Sequence, residues 1–221
     1  MSLPWHKITP AQAEVIESYR KFADGWSEAK DTTRRYHLLN PPQPGKSGVE
    51  QLLKDCKSLE GGNVINEGII NGYLDILVAG RPGSVLSLGT RFHHHCLFAK
   101  NEEIGRSVSR LEKHPFEFES WLWPILIDET ETHWATVLAY PTAKIVFYYD
   151  SKNDDSKQAR DHCLLVIQLV LNWAERLWKS EKRKGKFPGD QFRMIRIKNG
   201  PKQAEDDKWN SGVYACQAMY E

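Results

Sequence analysis

The chain has 221 residues, of which 30 are Lys or Arg and 29 are Asp or Glu, so its formal net charge is +1. Proteins that bind nucleic acids through phosphate contacts usually carry a clear basic excess, so this balance argues against that class. The hydrophobic content of 40% supports one sizeable core. No apolar run approaches the roughly 18 residues that a membrane helix needs, so no membrane span is expected.

The N-terminal sequence MSLPWHKITP lacks the apolar core of a signal peptide. An intracellular protein, in the nucleus or the cytoplasm, is therefore expected. In a reducing compartment the widely spaced cysteines are predicted to be thiols rather than disulfides. They are Cys56, Cys96, Cys163 and Cys216.

Residues 1–48 have the pattern of an N-terminal helical arm followed by a linker. Apolar residues recur at helical spacing over residues 9–30, with Pro10 in the first turn. The segment NPPQPGKSG at 40–48 can continue neither a helix nor a strand, because it contains three prolines and two glycines. Residues 49–221 are expected to form the main domain.

Within residues 49–221 the periodicity predicts helices first and then a sheet. The predicted helices cover residues 49–59, 66–80, 101–112 and 157–179, with a further helix at the C-terminus. The predicted strands cover residues 85–88, 121–127, 133–140, 145–150 and 192–197. A mixed or antiparallel sheet with helices packed on it gives an α+β fold.

The spacing of His133 and Asp150 predicts a catalytic pair. Residues 141–144 form a good turn, and the midpoint between positions 133 and 150 falls inside it. Residues equidistant from such a turn face each other with Cβ atoms ~5 Å apart. Asp150 would then fix the tautomer of His133 and leave the other ring nitrogen to act as a base. The spacing alone also fits a solvated His and an Asp in a loop.

A second group of residues surrounds Ser211, at the predicted start of the last helix. A nucleophile at a helix N-terminus gains from the positive end of the dipole, and the backbone N–H groups there can bind an oxyanion. Gln203 lies in the preceding loop and could supply a side-chain amide to the same oxyanion. Both residues are equally compatible with ordinary loop positions.

Four segments in this order resemble motifs of the SUMO-protease family, the ubiquitin-like-protein-specific cysteine proteases of papain-like fold. They are VINEGIINGYLDIL at 64–77, WLWPILIDETETHWATVLAYPTAKIVFYYDS at 121–151, PKQ at 201–203 and NSGVYAC at 210–216. The resemblance implies an α+β fold of the papain type for residues 49–221.

The resemblance also assigns roles to the candidate residues. It implies that His133 is the general base, that Asp150 orients it, and that Gln203 is the oxyanion donor. Ser211 then occupies the position of the nucleophilic cysteine. The implied substrate-binding residues are Trp134, which would roof a tunnel that only residues without a Cβ can pass, together with Val64, Asn210 and Gly212. Val64 stands where the family has a tryptophan, and Asn210 stands where it has an acidic residue.

By this resemblance the reaction is hydrolysis of a peptide or isopeptide bond after the C-terminal Gly-Gly of a ubiquitin-like modifier. SUMO is the first expectation for that modifier, which would bind with its tail between the helical half and the sheet. No cofactor or metal is implied, and a monomer is expected. A serine hydroxyl is a far weaker nucleophile than a thiolate in such a site, so the chain as written is expected to be inactive.

Two origins of Ser211 fit the sequence, namely an engineered Cys→Ser change and a natural pseudoprotease. The otherwise intact triad favours the first. The chain stops at Glu221, inside the nucleophile helix, which fits a truncated or divergent copy.

Two further functions stay open at this point. They are a pseudoprotease that only binds a ubiquitin-like protein and a YopJ-type acetyltransferase with the same triad.

Two other signals do not predict sites. The run His93–His95 is a poor zinc site because consecutive residues point in different directions. Cys216 is expected to pack in the core rather than replace the nucleophile.

Overall fold

A computed structural model describes residues 38, 55, 59, 64–128, 133–152, 155–180, 185–204, 207 and 210–220. The helix predicted over residues 9–30, the linker over 40–48 and nearly all of the helix over 49–59 lie outside the described residues, as does Cys56. The division of the chain at residue 48 therefore stays a prediction.

The described residues form five α-helices and five strands. In chain order these are α1 (Glu67–Gly80), β1 (Val85–Ser87), α2 (Phe92–Phe98), α3 (Asn101–Val108), β2 (Ser120–Asp128), β3 (His133–Tyr140), β4 (Ile145–Asp150), α4 (Lys157–Ser180), β5 (Arg193–Ile197) and α5 (Ser211–Tyr220). Every predicted strand is present within one or two residues of its expected bounds. The stretch from residue 93 to 98, for which no element type was predicted, is the short helix α2.

The five strands form one sheet in the order β1-β2-β3-β4-β5. The central strands β2, β3 and β4 are antiparallel, whereas β1 pairs with β2 and β4 pairs with β5 in parallel. Parallel neighbours need long crossovers, and here helices α2 and α3 supply one crossover and α4 the other. The α+β prediction is confirmed, with a mixed sheet as its form.

Each face of the sheet is covered by a different hydrophobic core. Alternate strand residues such as Ala135, Val137 and Tyr148 pack with α2 and α4 on the first face. The residues between them, including Trp134, pack with α1 and α5 on the second face. Neighbouring residues of one strand therefore belong to different cores, as the pleat requires.

The apolar stripe of α4 differs slightly from its prediction. The sequence pattern places Leu171 and Trp178 on the buried face, but both are only partly buried. The helix instead buries Val166, Trp173 and Leu177. The buried face of α4 is thus wider than a single row of residues at helical spacing, because α4 packs against the sheet and against α2 at the same time.

Arg176 of α4 anchors the end of α2. Its guanidinium donates to the carbonyl oxygen of Cys96 at 3.2 Å, to that of Ala99, and to Asn101 Oδ1 at 3.1 Å. The last carbonyls of a helix have no partner within the helix, so this side chain supplies the donors that they need.

Helix α1 begins at the predicted cap and buries one carboxyl group. The Asn66 side chain accepts from the backbone N–H of Ile69 at 3.1 Å. Asp75, in the third turn of this helix, is 5% exposed, and burial raises its pKa to about 7. An ionised carboxylate is thus disfavoured at this position.

Two classes of feature are missing from the part of the chain that the structure describes. None of its helices combines the length and the hydropathy of a membrane-spanning segment. Within the same ranges no group of three or more His, Cys, Asp or Glu side chains is arranged to hold a metal ion. His93 and His95 are both in α2 and both only partly buried.

Candidate catalytic site

His133 and Asp150 form a buried hydrogen-bonded pair. The distance from His133 Nε2 to Asp150 Oδ1 is 2.7 Å, and both side chains are almost fully buried. The two residues lie at the same end of the sheet, since His133 begins β3 and Asp150 ends β4. Because Asp150 occupies Nε2, Nδ1 is the ring nitrogen left to face a nucleophile.

The prediction that His133 and Asp150 lie directly opposite each other is wrong, because the residue opposite Asp150 is two positions after His133. Asp150 is opposite Ala135, and the hairpin closes at Tyr140 and Ile145. The centre of the turn is thus one position later than the midpoint between 133 and 150. His133 is two residues before Ala135, on the same face, so it reaches Asp150 along the diagonal of the ladder.

A β-bulge lies beside His133. Leu126 pairs with Trp134 and Asp128 pairs with His133, so β2 has one extra residue at this point. Such bulges increase the local twist and redirect side chains, and they are frequent next to active sites. The extra twist therefore falls at the start of β3, next to His133.

Opposing effects set the ionisation of Asp150. Burial by itself raises the pKa of this carboxyl group. The hydrogen bond and charge of His133, the backbone N–H of Lys152 at 2.9 Å and the charge of Arg196 outweigh it and hold the pKa below its ordinary value. Asp150 is therefore a carboxylate at neutral pH, able to stabilise a protonated imidazole.

Ser211 is the first residue of α5, and the second face of β3 holds it in place. The backbone N–H of Trp134 donates to Ser211 Oγ at 3.2 Å, and Thr136 Oγ1 donates to the carbonyl oxygen of Ala215 at 3.1 Å. Two residues of a strand and four residues of a helix both advance roughly 6–7 Å, so these contacts repeat in step. The hydroxyl thus lies next to the residue that carries the imidazole.

Gly212 permits the close approach of α5 to the segment before α1. A Cβ at this position would lie 2.8 Å from Ile65 Cβ and 3.3 Å from Trp134 Cδ1. The Trp134 indole is fixed by its Nε1–H, which donates to the carbonyl oxygen of Ile65 at 2.8 Å. The predicted substrate-binding residues Trp134 and Gly212 are therefore adjacent, and Ile65 contacts both. Val64, the fourth predicted residue of this group, precedes Ile65 in the chain and is partly exposed.

Gln203 lies beside the end of β4. Its backbone N–H donates to the carbonyl oxygen of Ser151 at 2.9 Å, and its Oε1 accepts from Ser151 Oγ at 3.0 Å. Its Nε2 donates to the carbonyl oxygen of Asp207. The loop leading to Gln203 is also fixed, because Tyr149 OH donates to the carbonyl oxygen of Pro201 at 2.5 Å.

Asn210 is exposed and does not carry the acidic group expected before the nucleophile. The backbone N–H and the Nδ2 of Asn210 instead donate to the two carboxylate oxygens of Asp207, at 3.1 and 3.0 Å. Asp207 therefore supplies a negative charge just before α5, where the helix dipole favours it.

Four contributors to the site were not among the sequence candidates: Ser151, Asp207, Ile65 and Thr136. Ser151 directly follows Asp150 and could have been proposed from that adjacency. Asp207 lies in a loop of polar residues and has no spacing signal. Ile65 and Thr136 act through packing and a backbone carbonyl, for which a sequence gives no pattern.

The whole constellation is covered in this conformation. Ser211 is 0% exposed and Trp134 is 2% exposed. Position 211 is therefore shielded from solvent in this conformation. Cys216, one turn further along α5, packs against the second core, and burial raises its pKa to about 12. Its thiol is protonated at neutral pH and is a poor substitute nucleophile.

Comparison with solved structures identifies the fold. The SUMO protease Ulp1 with its catalytic cysteine oxidised to a sulfinic acid superposes with a TM-score of 0.61 and 16% identity, over 89% of this chain and 80% of that one. The C-terminal Ulp1 protease domain in complex with Smt3, the yeast ortholog of SUMO, gives 0.60 and 17%, over 76% and 69%. The Ulp1-like SUMO protease catalytic domain of Chaetomium thermophilum gives 0.57 and 16%, over 89% and 77%.

No protein-family model and no curated protein matches the sequence. At 15–17% identity the similarity to the first Ulp1 structures is one of fold. The described residues thus adopt the Ulp1-like α+β fold, in which the geometry of His133, Asp150, Gln203 and Ser211 defines the candidate site.

Proposed function

We propose that this chain is a cysteine-type peptidase or isopeptidase of the SUMO-protease family whose nucleophile position holds a serine. The observation that carries the proposal is the buried pair of His133 and Asp150 at 2.7 Å, together with Ser211 at the start of α5, whose hydroxyl accepts from the backbone N–H of Trp134, the residue after His133. The Ulp1-like fold supports the same assignment, since His133 begins β3 and Asp150 ends β4 at one end of its sheet.

With a cysteine at position 211, each residue has a distinct role. His133 Nδ1 would take the thiol proton, and Asp150 would stabilise the resulting imidazolium. The thiolate would attack the carbonyl carbon of the terminal glycine, and the backbone N–H groups at the start of α5, with Gln203, would bind the oxyanion. The protonated imidazole would then give its proton to the leaving amine, and water would hydrolyse the thioester.

With Ser211 the first step is unfavourable. A thiolate forms readily beside a protonated histidine, whereas a serine hydroxyl has to lose its proton during the attack. The geometry inherited from a larger, softer sulfur atom adds to this barrier. We therefore expect turnover by the chain as written to be lower by orders of magnitude, with binding preserved.

The substrate that fits this site is the C-terminal tail of a ubiquitin-like protein, with SUMO as the first candidate. Gly212, Ile65 and Trp134 are in contact where the tail would pass. Only a narrow tail can enter such a place once the cleft opens, and glycine is the narrowest residue. Residues 49–221 are proposed to form the catalytic domain, of papain-like type, acting as a monomer in the nucleus or cytoplasm.

Restoration of the cysteine tests the proposal. Ser211→Cys and the unmodified chain are incubated with SUMO, ubiquitin and related proteins that carry a C-terminal fluorogenic amide. Release by the cysteine form only, abolished by adding His133→Ala and retained on adding Cys216→Ser, would support the peptidase. The Cys216 variant is the matched control, because it removes a thiol of the same helix.

Two results would change the conclusion. If Ser211→Cys is inactive but binds a modifier, the chain is a binding-only pseudoprotease. This is the second candidate function, and the serine at position 211 is the observation that favours it. If neither form binds or cleaves any modifier, the proposed substrate class is wrong.

A further inference from the structure

The side-chain amide of Gln203 is held at both of its ends. We infer that Ser151 and Asp207 are positioning residues that fix which group of this amide faces the oxyanion. The inference rests on the proposed function, in which Gln203 donates to the oxyanion. It adds two residues to that site, neither of which belongs to the triad.

Ser151 holds the oxygen end. It is 1% exposed, its hydroxyl donates to Gln203 Oε1 at 3.0 Å, and its carbonyl oxygen accepts from the Gln203 backbone N–H at 2.9 Å. Because Ser151 follows Asp150 directly, the same strand end that orients the imidazole also orients the amide.

Asp207 holds the nitrogen end. Its carbonyl oxygen accepts from Gln203 Nε2, while its carboxylate accepts from the backbone N–H of Asn210 at 3.1 Å and from Asn210 Nδ2 at 3.0 Å. Asn210 is the neighbour of Ser211. A chain of hydrogen bonds therefore connects the end of β4 with the start of α5 through the amide.

The chemistry of these partners selects one orientation. A backbone carbonyl can only accept, so the NH2 group has to face Asp207, and the Ser151 hydroxyl then donates to Oε1. A flipped amide would place two oxygens against each other. One N–H of the NH2 group is used by Asp207, and the second is left to donate to an oxyanion. Without the clamp, a flip would turn an acceptor toward that negative charge.

Kinetics in the Ser211→Cys background test the coupling. Ser151→Ala should lower kcat about tenfold or more and change KM less than twofold, because the oxyanion forms only in the transition state. In a Gln203→Ala background the same change should lower kcat less than twofold further, since the amide that it positions is gone. Asp207→Ala keeps the carbonyl oxygen that accepts from Gln203 Nε2 but removes the carboxylate that ties this loop to Asn210. It should therefore lower kcat in the same direction but by less, and it serves as the second variant if Ser151→Ala folds poorly.

Ser180→Ala is the matched control. The Ser180 hydroxyl donates to the carbonyl oxygen of Leu177 at 2.8 Å, near the end of α4, and its loss should leave kcat within twofold. A merely structural role of Ser151 predicts instead that its effect on kcat is the same with and without Gln203, and this additive result would overturn the inference.

A second readout does not require activity. The side-chain NH2 signals of Gln203 are assigned in the unmodified chain by nitrogen-edited NMR, through their loss in Gln203→Ala. In Ser151→Ala these signals should move toward those of a solvent-exposed amide and exchange faster, with a smaller change in Asp207→Ala, which loosens the loop but keeps its carbonyl. Unchanged signals in Ser151→Ala would overturn the inference. If Ser211→Cys is inactive on every substrate, the proposed function fails, and the NMR result alone decides whether the clamp exists.

Discussion

Replacing Asp75 with Asn should make the stability of the protein less dependent on pH. Asp75 is buried in α1, and burial raises its pKa from 3.8 to about 7 in the folded state. The folded protein therefore binds this proton more tightly than the unfolded chain does. Stability is fully retained below pH 3.8 and is lost progressively as the pH rises to about 7.

The size of the effect follows from the two pKa values. Each unit of difference corresponds to about 1.4 kcal/mol, so burying this carboxylate costs about 4 kcal/mol at pH 8. Asparagine has nearly the same volume and no charge. The free energy of unfolding of the variant should therefore equal that of the unmodified chain near pH 4 and exceed it by several kcal/mol at pH 8.

Urea denaturation of both proteins between pH 4 and pH 8 measures this difference. Taking the difference cancels the titration of all other groups. Asp161→Asn, at an exposed position of α4, serves as the control for charge removal and should change stability by about 0.5 kcal/mol or less. A difference between wild type and Asp75→Asn that changes by less than about 1 kcal/mol over this range would refute the reasoning.

Three further perturbations test other contacts. Gly212→Ala should cost about 1–3 kcal/mol of unfolding free energy, because its Cβ would lie 2.8 Å from Ile65 Cβ; an unchanged urea midpoint would contradict this packing. Arg176→Met should lower the free energy of unfolding in urea by about 2–4 kcal/mol, because it leaves the carbonyl groups of Cys96 and Ala99 without this donor. Arg106→Met, at an exposed position of α3, should lower it by about 0.5 kcal/mol or less, and equal losses in the two variants would contradict the anchoring role of Arg176. Cys216 should resist iodoacetamide at pH 7.5 in the folded protein and react within minutes in urea, as followed by mass spectrometry; fast labelling of the folded form would argue against the pKa of about 12.

Local signals were sufficient for most of the described elements. Asn66 was predicted to open a helix, and it does so through its side chain. The hairpin of β3 and β4 has the predicted bounds, because its turn residues and its apolar alternation agree. The α+β class followed from the order of these elements.

The register of the β3–β4 hairpin and the contacts made by loops could not be predicted from the sequence. The diagonal relation of His133 and Asp150 depends on a turn whose centre lies one position from the expected one, and a pattern of period two cannot reveal such a shift. The clamp on Gln203 depends on the hydroxyl of Ser151 and on the backbone carbonyl of Asp207. Every residue has a backbone carbonyl, so the identity of Asp207 does not indicate its contact with Gln203.

His133 and Trp134 are consecutive, yet they project to opposite faces of β3. The imidazole lies on the face that packs with α2 and α4, and the indole packs into the core with α1 and α5. Substitutions in the core under α4 would affect the position of the imidazole first, and substitutions in the core under α1 and α5 would affect the indole first. Under the proposed function, the group that takes the proton and the group that roofs the tail can therefore change through separate sets of mutations.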